Sequence, residues 1–418
     1  MQNTLKALVI GNSMKTYLAK LLPYSILLIS ISSVLQWCTL PIGNTFLWWL
    51  LQSIILYTFY KMSPKQYSIP TIRIFLIYLF ISAIYGAIFM TENYWDWKLL
   101  IRNLMIFMLP LACYCYVDPE TLKSTIKIWL NYAWIIVLCL TPFLESDAFG
   151  RILVPMSFLS LFLPFVKKRY VLFIIISYLI TLILGSDSRS DALKFSITIL
   201  IGFACGLLWE KRFFEKFINT LSRLFLFAPF VFFTLGITGT FNIFQIEREL
   251  GLEGRYTMNM SSGDQISVFS DTRTFLYVEE ITSAISHDYV IWGRSIARGY
   301  ESDVFGQSSD VPEYRQRNER GDCETSILNI FNYFGVIGVI IYFVVFAAAV
   351  NSAQKKSNNI YVKAIGLYVA FRWMFAWVED FSRFDLNYLF LWIMIGMCHS
   401  PLFLNLSNED VKKWVRSL

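Results

Sequence analysis

The sequence predicts an all-α, polytopic membrane protein of about 12 transmembrane helices, with one large loop late in the chain. Three observations predict it. The 418 residues are 56% hydrophobic and 16% charged, where soluble domains carry about a quarter charged residues. Apolar runs approaching the ~20 residues that cross a bilayer recur from end to end. The basic residues between those runs fall on alternating sides, as the positive-inside rule requires.

The expected spans are Leu21–Gln36, Gly43–Tyr60, Pro70–Met90, Leu99–Tyr116, Ile126–Leu144, Ile152–Val166, Tyr170–Gly185, Ala192–Trp209 and Leu221–Phe241, then Ile327–Val350, Val362–Val378 and Tyr388–Leu402. This divides the chain into residues 1–241 with nine spans, a large loop at 242–326, and residues 327–418 with three more. Lys6, Lys15 and Lys20 place the N-terminus in the cytoplasm. Lys61 with Lys65, Lys123 with Lys127, Lys167 with Lys168, Lys211 with Lys216, Lys355 with Lys356, and Lys412 with Lys413 then all fall on that same side. Both termini are therefore expected to be cytoplasmic. The first apolar run is followed by further spans, so a cleavable leader is not expected. The net charge of +6 reflects this orientation and says nothing about nucleic acid, and no nucleic-acid partner is expected.

Cysteine and histidine give little chemistry. Five of the seven cysteines (Cys113, Cys115, Cys139, Cys205 and Cys398) lie in spans and read as small apolar packers. Cys38 and Cys323 both fall near the outer face, which leaves a disulfide between them open. With only His287 and His399, no metal site and no cofactor are expected.

The charges on the outer side are unusual. The cytoplasmic side takes 16 lysines and 5 arginines, whereas the outer side takes 13 arginines and only two lysines, Lys98 and Lys194. A lysine suffices to hold a loop in the cytosol. Arginine adds a planar fork that grips phosphate through two parallel hydrogen bonds. The 85-residue loop holds eight arginines, no lysine and 15 acidic residues, so any anion must be held by individually placed groups. A loop this long should contain its own helix. Asp271–Ser286 fits one, with Asp271 as cap and Phe275, Val278, Ile281 and Ile285 on one face. Tyr256–Ser270 reads as a polar lip.

Several charged residues have two readings each. Arg189, in the short turn Gly185–Asp191, is either a phosphate clamp at the lipid interface or the partner of Asp187, Asp191 or a lipid headgroup. Arg372 lies within an apolar span, where a charge costs ~3 kcal/mol. It faces a polar cavity, or it reaches toward Glu379 or Asp380. Lys194 has the same two readings. Glu324, where the loop re-enters the membrane, is either a general base or a carboxylate favoured by the helix dipole.

Five features together resemble the O-antigen polymerase and O-antigen ligase superfamily. Arg151-Ile-Leu resembles its early arginine, and Gly185 to Leu193 its Gly-Ser-Arg-x-x-Leu turn. Asp271-Thr-Arg273, an amphipathic helix and then Ile291-Trp-Gly-Arg294 resemble the arginine–helix–glycine pattern of its loop. Glu324 to Gly338 matches the spacing of its His-Asn…Gly-x-x-Gly re-entry motif. The large late loop completes the likeness. Where ligases carry His and Asn, this chain has Glu324 and Thr325, a departure that favours a polymerase.

The resemblance implies a multi-pass glycosyltransferase of the bacterial inner membrane that makes polysaccharide for lipopolysaccharide biosynthesis. It would join undecaprenyl-pyrophosphate-linked oligosaccharide units by inverting, metal-independent transfer at the periplasmic face. Membrane lipid and a chain-length regulator are the implied partners. Arg189, Arg273 and Glu324 are the expected catalytic residues, and Arg294, Arg298, Arg320 and Arg151 the expected pyrophosphate ligands. Alternatives are the ligase itself, which transfers polymer to lipid A core, and a flippase for lipid-linked oligosaccharide. Transporters commonly carry paired, broken repeats, and none is visible here.

Overall fold

Polar caps and prolines set many of the helix boundaries in this apolar chain. Asn93 accepts hydrogen bonds from the N–H groups of Trp95 and Asp96 at 2.9 and 3.1 Å. Asp118 accepts from Thr121 N, with Pro119 in the first turn. Asn359 and Asp385 do the same for Val362 N and Tyr388 N. These caps satisfy N–H groups that no preceding turn can reach. The computed structural model describes residues 15–39, 45–64, 67–184, 189–208, 210–245, 257–259, 265–267 and 273–418.

The main helices before the loop are α1 (Ser25–Gln36), α2 (Thr45–Met62), α3 (Pro70–Tyr85), α4 (Tyr94–Phe107), α5 (Pro119–Leu140), α6 (Ser146–Ile152), α7 (Val154–Ser160), α8 (Lys168–Ile183), α9 (Arg189–Leu208) and α10 (Arg212–Ile237). The loop contributes α11 (Thr274–Ser286). After it come α12 (Ser326–Lys356), α13 (Ile360–Phe375), α14 (Leu386–His399) and α15 (Asn408–Arg416). Two short antiparallel ladders depart from the all-helical expectation. One pairs β1 (Thr257–Asn259) with β2 (Gln265–Ser267) inside the stretch read as a polar lip. The other pairs β3 (Tyr300–Glu301) with β4 (Glu319–Arg320).

Each of the twelve expected spans contains helix, yet among the described residues only seven helices are long and apolar enough to cross a membrane. The reasons are local. The run at 152–166 is split into short pieces that begin beside Pro155 and Pro164, because proline cannot continue the preceding hydrogen-bond ladder. At 14 residues, α14 is roughly 21 Å long. It is buried from Leu386 to Cys398, so it behaves as the core of the bundle and presents no face to lipid. Around it, Phe75 of α3 packs with Phe334 and Trp392 at centroid distances of 5.9 and 6.1 Å.

Helix α12 is broken at Gly335, whose φ of 64° and ψ of −166° are non-helical. The break is where the loop docks. Val336 N donates to Val290 O at 2.9 Å, Ile337 N to Ile291 O at 3.3 Å, and Arg294 N to Asn332 O at 2.6 Å. A Cβ on Gly335 would lie 2.3 Å from Ile291 O, and one on Gly293 would lie 2.3 Å from Phe334 N. The Ile291–Arg294 and Gly335–Gly338 motifs, noted separately in sequence, are thus the two halves of one contact.

The predicted loop helix is present from Thr274, and its proposed cap Asp271 lies outside the described residues. Its apolar face does not turn inward. Val278 and Ile285 are exposed, while Leu276, Tyr277, Glu280, Ser283 and Ala284 are buried, with the Tyr277 hydroxyl donating to Trp377 O at 2.6 Å.

Candidate functional site

The site is built on the turn that leads into α12. Asn329, one helical turn in, grips Cys323 twice: its Oδ1 accepts from Cys323 N at 2.7 Å and its Nδ2 donates to Cys323 O at 2.8 Å. Ser326 N donates to Glu379 O, and Ile327 N to Ala376 O. Ser326 Oγ accepts from Phe381 N at 2.9 Å and donates to Asp380 at 3.1 Å. The helix start is therefore fastened to the segment that links α13 to α14. Cys323 is buried and unpaired with Cys38, so the open question of a disulfide resolves to free thiols.

Glu324 projects from this turn, half exposed, and two arginines hold it. Arg273 Nη1 lies 2.7 Å from Glu324 Oε2, and Arg320 Nη2 lies 2.9 Å from Oε1. Each arginine is held in place by a further contact. Arg273 Nε donates to Val378 O at 3.0 Å. The Arg320 guanidinium lies over the Phe305 ring at 4.0 Å. Partial burial works against the charged carboxylate. The hydrogen bond from Arg320 and the positive charge of Arg273 outweigh it and hold its pKa below the usual carboxylate range.

The other expected ligands sit elsewhere. Arg298, buried, and Arg294, partly buried, converge on Glu319 at 2.5 and 2.8 Å, with Arg317 Nε at 3.2 Å from the same carboxylate. Arg317 also reaches the fully buried Asp96 of α4 at 2.6 Å, so this network ties the loop to the bundle. Arg151 pairs with Asp385 at 3.0 Å. Arg189 opens α9, and its side chain lies outside the described residues. Lys194 pairs with Asp191 at 2.6 Å and Glu379 at 3.4 Å. Arg372 reaches the segment that links α13 to α14 but forms no ion pair with Glu379 or Asp380 there. It is buried with its guanidinium 4.4 Å from the Phe381 ring centroid.

Glu280, on the buried side of α11, has no hydrogen-bond partner among the described residues. Burial pushes its carboxyl well above the ordinary range, despite the nearby Arg294 charge. A folded-state pKa above the unfolded one favours folding at acid pH, and that contribution fades as pH climbs from the unfolded value toward the folded one. Glu280→Gln should therefore stabilise the protein by about 1–2 kcal/mol near pH ~8 and barely change it near pH ~4, read as thermal unfolding in detergent. Equal shifts at both pH values would contradict this assignment.

Two cavities flank the Glu324 turn. An apolar groove of about 520 Å³ runs between α10, α11 and the end of α13, walled by residues such as Phe233, Ile237, Val278, Ile281 and Trp377. It explains the outward apolar face of α11. Thr274 and Val378, neighbour and hydrogen-bond partner of Arg273, also line it, so the Arg273–Glu324 pair stands at its rim. On the other side lies a polar cavity of about 420 Å³ that includes Trp48, Arg102, Asp322 and Arg383. Arg102 and Asp322 form an ion pair there. Arg102, Trp48 and Trp49, which also lines this cavity, do not stand out in the sequence, because nothing local separates them from interfacial residues. Compared with known proteins, the sequence matches no family model and no curated protein.

Proposed function

We propose that this chain is a glycosyltransferase that joins polyprenyl-pyrophosphate-linked oligosaccharide units, a polysaccharide polymerase working at the extracytoplasmic face of a bacterial inner membrane. One observation carries the reading: two arginines from separate parts of the loop converge on one carboxylate at the rim of an apolar groove. An isoprenoid chain fits the chemistry of the groove, and its diphosphate would then meet the guanidinium groups.

In the reaction, an acceptor hydroxyl attacks the anomeric carbon of the donor. A new C–O bond forms there as the bond from that carbon to the bridging phosphate oxygen breaks. The diphosphate leaves with the electron pair, and the hydroxyl proton passes to a base. Arg273 and Arg320 stabilise the charge that grows on the leaving oxygen, a contribution that is usually the largest in such reactions. Arg189 is assigned beside them from its sequence motif. Arg294, Arg298 and Arg151 are assigned to hold the loop and bundle in register.

In the resting site Glu324 occupies the place of the phosphate. A bound diphosphate competes for both arginines, and the carboxylate they release regains basicity. It is then free to take the acceptor proton.

The test is reconstitution of the purified protein with a defined lipid-linked repeat unit. A ladder of extended products supports the proposal, and intact substrate under conditions where the protein is folded refutes it. In the same assay Glu324→Gln should lower turnover by roughly 100-fold. Binding of the lipid-linked donor should change much less, because the arginines remain. Unchanged turnover would return Glu324 to a purely structural role.

A further inference from the structure

We propose that the polar cavity behind the Glu324 turn binds neutral sugar residues of the acceptor glycan. The inference rests on the glycosyl-transfer reading for its role, and its test separates the two.

Position is the first argument. Asp322 lines the cavity, and Glu324 stands two residues along the same turn, facing Arg273 and Arg320. A ligand in the cavity therefore lies close to the reacting site, behind walls that share no residue with the apolar groove. That is where an attacking hydroxyl must come from if the leaving diphosphate lies at the groove rim.

Lining chemistry is the second. Trp48 and Trp49 are half-buried in the wall, and each offers a flat ring for the C–H face of a pyranose. Lys98, Arg102 and Arg383 share the cavity with Asp322, Asp380 and Asp385, with Glu145 as a fourth carboxylate. The two arginines and the three aspartates are already matched, while Lys98 lies over the Trp95 ring at 4.7 Å. Arg102 pairs with Asp322, Arg383 lies 3.8 Å from Asp380, and Asp385 pairs with Arg151 at 3.0 Å. At Glu324 two guanidinium groups share one carboxylate and leave positive charge for an anion, whereas here Arg102 and Arg383 each have a carboxylate of their own. Matched guanidinium–carboxylate pairs instead place donors beside acceptors. Adjacent sugar hydroxyls, each both donor and acceptor, use that alternation without bringing in net charge.

Size is the third. At about 420 Å³ the cavity lies in the ~300–1,000 Å³ range of small-ligand sites. It is also open enough to be used, because the Arg102 and Asp322 side chains are 44% and 46% exposed.

The test is saturation-transfer NMR on the full-length protein in phosphatidylcholine nanodiscs. The probes are the methyl glycosides of glucose, galactose, N-acetylglucosamine and rhamnose. At least one should receive saturation at its ring C–H protons, and Trp48→Ala and Trp49→Ala should each weaken binding about fivefold. Trp48→Phe, which keeps a ring, should restore most of it and so control for folding. Glycerol, which has the hydroxyls but no ring face, should not displace the glycoside. No saturation of any probe, equal displacement by glycerol, or unchanged binding in both alanine variants would overturn the proposal. Sugar binding that survives in a protein unable to extend a lipid-linked unit would leave the cavity assignment standing and sink the transferase reading. Extension with no effect of either tryptophan on acceptor KM would do the reverse.

Discussion

Arg273→Lys is expected to lower turnover by ~100-fold although the charge is kept, because the planar fork is lost. In the present structure Arg273 uses Nε to hold Val378 O and Nη1 to hold Glu324. Lysine has one nitrogen in place of three, so it either stays on the backbone carbonyl or reaches the anion. Arg320→Lys should behave similarly, since the flat guanidinium is what lies over Phe305. The informative contrast is Arg294→Lys. Arg294 is held by Glu319 and Gly299 O, away from the carboxylate that marks the site. Its substitution should lower the melting temperature while the folded fraction keeps a near-normal rate. Lipid-linked substrate turnover, normalised to folded protein, checks all three variants. Wild-type rates in Arg273→Lys would remove the central support for the proposed function.

Gly335→Ala is expected to destabilise the fold by ~3 kcal/mol or more, enough to stop the protein accumulating. Two costs add. The backbone at φ 64° and ψ −166° belongs to a region open almost only to glycine, worth ~1–3 kcal/mol for another residue. A new Cβ would also lie 2.3 Å from Ile291 O and 2.5 Å from Gly293 N, and backbone atoms cannot step aside as a side-chain end can. Gly236→Ala is the matched control. That glycine sits in helix α10 with nothing near its would-be Cβ, so alanine should be neutral or stabilising by roughly 0.5–1 kcal/mol. Expression and thermal unfolding of the two variants in detergent measure the difference. Equal behaviour would mean that the break in α12 is not needed.

What could be seen in the sequence follows from the range of the forces involved. Apolarity is a local property, so every expected span holds helix. Span number is not local. It depends on which apolar helices face lipid and which face one another, and α14, buried from Leu386 to Cys398, is of the second kind. The apolar stripe of α11 was visible, but whether it faced inward or outward depended on the groove formed with α10 and α13. Charge type was visible as well, since the 242–326 loop holds eight arginines and no lysine. Pairing was not. Glu319 and Glu324 lie five residues apart in similar polar surroundings, yet one draws Arg294, Arg298 and Arg317 into a buried knot and the other presents Arg273 and Arg320 at a rim. That division is made by the β3–β4 ladder and by the anchoring of residues 323–327, both of which join distant parts of the chain.

The docking of residues 290–294 onto Gly335 and the anchoring of Arg273 to Val378 also bear on biogenesis. Translation delivers the loop after α4, which Arg317 grips, but before α12 and the end of α13, which hold residues 290–294 and Arg273. A nascent chain paused after residue 326 would carry all its loop arginines, yet it would lack the shelf on which they are arranged. The centre should thus mature late, as a step coupled to the arrival of α12 and α13. Chains truncated within that final quarter should reach the membrane inert and be early targets for quality-control proteases.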